Sequence, residues 1–92
     1  MPRVVLTAEV EDGARWEAGF KTHGDVFRNQ TAVSPIQYTV NDQNEVAITC
    51  EVADINAFFT VLAGPETAEA MAFDGVKKET VKVFVMDGEL SF

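Results

Sequence analysis

Four short stretches of this chain alternate apolar and polar residues with a period of two. Stretches of helical period separate them in the order strand, helix, strand, strand, helix, strand. In Arg3 to Val10, Val4, Leu6, Ala8 and Val10 fall on one face and Arg3, Val5, Thr7 and Glu9 on the other, the pattern of a half-buried strand. Ser34-Pro35 opens a second strand with Ile36, Tyr38 and Val40 on one face. The third sets Val46, Ile48, Cys50 and Val52 against Ala47, Thr49 and Glu51. The fourth, Thr80 to Met86, sets Val81, Val83 and Val85 against Lys82, Phe84 and Met86. Asn41-Asp42-Gln43-Asn44 is a turn by composition, because Asn and Asp tolerate left-handed backbone. The second and third strands therefore form an antiparallel hairpin.

Asp12 offers an N-cap to a helix beginning near Gly13. Trp16, Phe20, His23 and Phe27 recur at i, i+4, i+7 and i+11, which is one helical stripe. The expected helix covers residues 13–29, although Gly19 and Gly24 each weaken it by about 1 kcal/mol relative to alanine. Asp54 caps a second helical region, residues 55–73, that begins with Ile55, Phe58, Phe59 and Leu62. Gly64-Pro65 stops it and restarts it, since proline fits a first helical turn. Ala68, Met71 and Ala72 form the apolar side of the restarted helix, and Asp74-Gly75 closes it. Right-handed crossovers turn this order into an α+β, ferredoxin-like βαββαβ plan: a four-stranded antiparallel sheet, strands one and three central, helices on one face.

At 92 residues and 10.1 kDa the chain reads as a single domain, 1–92, with a folded surface of about 5,300 Å². Its one cysteine, Cys50, rules out a disulfide framework and a cysteine zinc site within one chain. A net charge of -8, with Lys77-Lys78 the only adjacent basic pair, works against phosphate neutralisation. Nucleic acid and anionic membrane surfaces are therefore not expected as partners. No apolar run nears the roughly 18 residues of a membrane span, and Met1-Pro2-Arg3-Val4 is unlike a signal peptide. The expected location is the cytoplasm. GxGxxG, Walker and GxSxG patterns are all missing. One histidine excludes a 2-His-1-carboxylate centre inside a protomer. Neither a metal nor a cofactor is expected.

The element order, the stretch Trp16 to Phe27, the segment Glu51-Val52-Ala53-Asp54 and the break Ala63-Gly64-Pro65-Glu66 resemble the dimeric α/β-barrel superfamily. That group contains the antibiotic-biosynthesis-monooxygenase-type domains and small cyclase-like proteins. The resemblance covers nearly the whole chain and implies a homodimer with a ligand cleft between helices and sheet. Its members include cofactor-free monooxygenases, isomerases, heme-degrading enzymes and proteins without known activity. The heme-degrading subgroup uses an Asn, a Trp and a heme-ligating His, whereas the first strand here offers Thr7 and Glu9 and no Asn. No catalytic residue carries over.

Large rings interdigitate poorly in a small two-layer core, so the aromatic load here makes either a filled core or an apolar cleft. The residues expected to line such a cleft are Trp16, Phe20, His23 and Phe27 from the first helix and Tyr38 and Ile48 from the sheet. Phe58, Leu62 and Met71 join them from the second helical region. His23 reads either as a general base or donor to a ligand's polar head, or, more often for a lone histidine, as a residue bonded to a backbone carbonyl or bordering solvent. Tyr38 reads as a partner of His23 or a ligand, or more often as a rim tyrosine with a wet tip. Cys50 reads as a small buried hydrophobe.

Two functions follow. The first is a small homodimer binding an apolar or amphipathic organic molecule in the helix–sheet cleft. The alternative is a cofactor-independent monooxygenase, isomerase or cyclase using His23 and Tyr38; a purely structural interaction module is a third reading. The dimer is expected through the uncovered sheet face, where Val5, Thr7, Thr39, Ala47, Thr49, Phe84 and Met86 leave charge only toward the ends.

Overall fold

The computed structural model describes residues 1–92 apart from the side chain of Ser34. Its strands are β1 (Arg3–Glu9), β2 (Ala32–Val40), β3 (Glu45–Val52) and β4 (Lys82–Met86), joined as one sheet in the order β2-β3-β1-β4. Every neighbouring pair is antiparallel. The two central strands are the two whose alternation is cleanest. A row across the inner face runs Val83, Leu6, Ile48, Tyr38, and the adjacent outer row runs Phe84, Val5, Thr49, Gln37. Val10 adds a single bridge to Val76 beyond the end of β1.

Two boundaries differ from expectation for local reasons. β2 begins at Ala32, ahead of Ser34-Pro35, and its register against β3 shifts between Val33 and Gln37. Proline has no N–H to give the ladder, so this edge strand passes it as an irregularity. At the other edge, Lys78–Thr80 forms a 3-10 turn, so β4 starts at Lys82 rather than Thr80.

The helices are four: α1 (Gly13–Phe20), α2 (Gly24–Asn29), α3 (Ile55–Leu62) and α4 (Pro65–Asp74). Asp12 and Asp54 cap α1 and α3, each accepting from two backbone N–H groups of the first turn, as such residues do. The break at Gly64-Pro65 lies where it was expected. Gly75, at φ 75°, ends α4 in the left-handed conformation that glycine adopts without strain. The single helix expected over residues 13–29 is instead two. The Thr22 hydroxyl donates to Gly19 O at 2.6 Å, and the Thr22 and His23 N–H groups bond back to Gly19 and Phe20. This side-chain bond competes with the helical ladder, and the chain turns before restarting at Gly24.

The helices cover the inner face and divide the core into two clusters. One holds Ala8, Val10, Trp16, Phe20 and Val46; the other holds Val4, Cys50, Val52 and Phe58. Ile36 packs against both. Val4, Leu6, Ile48 and Val83 share this face as the alternation requires.

Candidate functional site

Between the two clusters lies a cavity of about 70 Å³. Trp16 and Phe20 reach it from α1 and Phe27 from α2. Ile48 reaches it from β3, Phe58 and Leu62 from α3, and Met71 from α4. His23, from the turn before α2, also lines it. Eight of the nine residues expected at one cleft thus meet there. The ninth, Tyr38, does not line it. It stands beyond Ile48 on the edge strand, edge-on to Trp16 and Phe20 at 5.6 and 5.1 Å. Its hydroxyl donates to Glu17 Oε2 at 2.6 Å on the outer side of α1. That carboxylate bond, followed by desolvation, pushes the phenol above its ordinary value. His23 and Tyr38 therefore do not form a pair.

The partner of His23 is Asp74. His23 Nε2 lies 3.2 Å from both carboxylate oxygens, and the Asp74 side chain is only 5% exposed. The carboxyl approaches α1 so closely that a Cβ on Gly19 would collide with Asp74 Oδ1. Glycine is what lets a polar group enter this packed corner. Burial raises the Asp74 carboxyl above the usual carboxylate range; the His23 bond and the Arg15 charge pull it down without cancelling the effect. Arg15 itself donates to Phe73 O at 2.9 Å. A carboxyl and an imidazole in an apolar wall can together give and take hydrogen bonds at a ligand's polar end.

A second polar station lies toward the other end of α4. Gln30, buried at the end of α2, donates from Nε2 to Thr67 Oγ1 at 3.3 Å, and Thr67 donates to Val61 O at 2.6 Å. Gln30, Thr67 and Asp74 all line the cavity, and sequence reasoning missed all three. The available signal was the spacing Thr67, Ala70, Met71, Asp74, at i, i+3, i+4 and i+7. The apolar pattern pointed instead to Ala68, Met71 and Ala72, but Ala72 is exposed and the buried positions of α4 are Thr67 and Asp74. Phe59 and Phe73 also face outward, 42% and 67% exposed. Cys50 is a buried wall residue, its thiol pushed up by desolvation. Among the described residues no group of three or more His, Cys, Asp or Glu is placed to hold a metal ion.

No protein-family model and no curated protein matches the sequence. Solved structures do match the fold. A Bordetella bronchiseptica protein described as an antibiotic biosynthesis monooxygenase superposes with a TM-score of 0.74 at 12% identity, covering 97% of each chain. SnoaB, a cofactor-independent oxygenase from Streptomyces nogalater, superposes at 0.69 with 16% identity over 98% of this chain and 94% of its own. A protein from Nitrosomonas europaea, also described as an antibiotic biosynthesis monooxygenase, reaches 0.60 at 14% identity over 96% and 98%. The fold is that of the antibiotic-biosynthesis-monooxygenase-type proteins. That ferredoxin-like fold sets the cavity between sheet and helices, and no helix here is long and apolar enough to cross a membrane.

Proposed function

We propose that this protein is a cytoplasmic homodimer, joined through the outer sheet faces, that binds an apolar or amphipathic small organic molecule between helices and sheet. The observation that carries the reading is the apolar cavity with the His23–Asp74 pair in its wall, Asp74 buried and His23 partly so. Apolar walls supply affinity and a few placed polar groups supply orientation, the usual composition of a small-molecule site. The empty volume of about 70 Å³ is under half of the about 150 Å³ of a dry engineered cavity that takes up benzene. Bound molecules therefore either are slim or open the site.

The dimer is supported by the outer face. Phe84 and Met86 are 53% and 55% exposed, and Phe84 shares a row with Val5, Thr49 and Gln37. The accessible surface of 5944 Å² exceeds the about 5,300 Å² usual for a monomer of this mass. Closed two-fold pairing removes such a face from water in both copies at once. The enzyme alternative loses support, since Tyr38 is committed to Glu17 and lies off the cavity.

Native mass spectrometry of the purified protein tests both parts. A species of twice 10.1 kDa carrying an additional organic mass is the expected result. A bare monomer whose Trp16 fluorescence ignores added amphiphiles would remove the reading.

A further inference from the structure

We infer that α2 is the lid of the cavity, latched to α4 by side-chain hydrogen bonds and pivoting beside Thr31, and that small molecules enter where it swings away. As a route of entry the lid rests on the ligand-binding reading above; as a motion it does not. A void of about 70 Å³ is under half of one that takes up benzene. A wall must therefore move before most organic molecules can enter.

The walls are held unequally. α1 is capped by Asp12 and buries Trp16 and Phe20, and α3 is capped by Asp54 and buries Phe58. α4 buries no apolar side chain but is fixed beyond its end, where Gly75 O accepts from Glu11 N–H at 2.9 Å and Val76 bridges Val10. α2 has six residues, of which Val26 alone is buried, and among the described residues no side chain caps it. A helix that short does not persist by its own hydrogen bonds. Yet His23, Val26, Phe27 and Gln30 all line the cavity. Segments with few buried apolar groups open at the lowest free energy, and here such a segment closes the void.

The ties from α2 and its flanking residues to α4 are polar. His23 Nε2 lies 3.2 Å from the Asp74 carboxylate, Asn29 Nδ2 donates to Glu66 Oε2 at 3.0 Å, and Gln30 Nε2 donates to Thr67 Oγ1 at 3.3 Å. Water can replace such partners as the seam parts, so their net hold is modest. The pivot is firmer. Thr31 sits at φ 61°, in the left-handed region that β-branched residues rarely adopt. Its Oγ1 accepts from Asp54 N–H at 3.0 Å and donates to Asp54 O at 3.1 Å, and its carbonyl accepts from Ala53 N–H at 2.9 Å. At the other end the helical ladder is already broken at Thr22. The segment between is free to swing as one piece, as hinged elements do.

Cys50 reports the motion, because it lines the cavity, is buried and is the chain's one cysteine. Its labelling by methyl methanethiosulfonate is followed by mass across a urea series. If α2 swings alone, the labelling rate has a urea slope well below that of global unfolding, since the slope scales with the surface exposed. Asn29→Asp sets a carboxylate against that of Glu66 and should speed labelling about threefold or more. Lys21→Ala breaks an exposed pair with Glu17 on α1 without touching the latch, and should label at the wild-type rate. Hydrogen exchange should show the α2 amides exchanging ahead of those of α1, α3 and α4. Labelling only at the global slope overturns the inference, as does a wild-type rate in Asn29→Asp. Equal acceleration by Lys21→Ala, or another helix exchanging ahead of α2, overturns it too. No ligand enters these measurements, so the ligand-binding reading is judged separately, by whether native mass spectrometry finds a co-purified molecule.

Discussion

The two faces of this sheet are built from the same four strands and end in opposite conditions. On the inner face, Val4, Leu6, Ile48 and Cys50 lie under four helices, yet the helices do not fill the space and a cavity with two polar stations remains. On the outer face, Val5, Thr7, Ala47 and Thr49 lie under nothing, with Phe84 and Met86 beside them more than half exposed. Both faces are poor in charge at their centres. An alternating strand announces which residues share a face, but not whether that face meets a helix, a ligand or a second copy. Inside, one buried carboxyl interrupts the packing; outside, charge is confined to the ends, as at Arg3 and Glu51, 3.3 Å apart.

The largest expected effect belongs to the inner face. Trp16 is 2% exposed, stacks on Phe20 at 4.6 Å and meets Tyr38 edge-on. Trp16→Ala should cost about 3–5 kcal/mol in urea unfolding. A loss under 1 kcal/mol would mean the inner face is as loosely held as the outer one.

Gly19→Ala comes next. The new methyl would overlap the Asp74 carboxyl at the corner where α1 meets α4, and overpacking of this kind costs about 1–3 kcal/mol. Asp74→Ala combined with Gly19→Ala should recover part of that loss. A double variant no more stable than Gly19→Ala alone would place the clash elsewhere.

Asp74 also gives the inner face a pH signature. Its carboxyl is raised by burial, and His23 and Arg15 are the charged or titratable groups that oppose the shift. Between the ordinary carboxylate value and the raised one, the folded chain keeps a proton that the unfolded chain has released. This group's contribution to stability is therefore greatest at low pH, falls as pH rises through that window, and levels off above it. Urea midpoints of wild type and Asp74→Asn, compared from about pH 4 upward, should diverge by that slope. Parallel profiles would count against a buried carboxyl.

The smallest effect on the fold itself belongs to the outer face. Phe84→Asp should change the stability of the separated subunit by about 0.5 kcal/mol or less, as exposed substitutions do. The same change should convert a sedimenting dimer into a monomer. A wild type that already sediments at 10.1 kDa would make the two faces differ in packing only.

Much of the architecture is determined by the sequence alone, because strand parity, capping aspartates and glycine–proline breaks are local signals. Four alternating segments, Asp12, Asp54, Gly64-Pro65 and Gly75 suffice for the element order, the shared inner face and most boundaries. Eight of the nine residues proposed for one cleft follow from the same periodicities. Tertiary structure decided the rest. Thr22 divided the first helix through a side-chain bond to Gly19, a choice among alternatives that helical period does not register. Tyr38 stands off the cavity on the edge strand, with its hydroxyl bonded to Glu17, a residue 21 positions away that strand alternation does not register. Above all, Thr67 and Asp74 took the buried positions of α4, where the apolar pattern had pointed to Ala68 and Ala72, and Gln30 took one at the end of α2. A buried polar residue needs a hydrogen-bond partner, and here two of those partners are distant in the chain. His23 is 51 residues from Asp74, and Gln30 is 37 from Thr67. Such a pairing exists only once the sheet has brought the two helical regions together, so the spacing of Thr67 and Asp74 along α4 marks a shared face but does not name the partners.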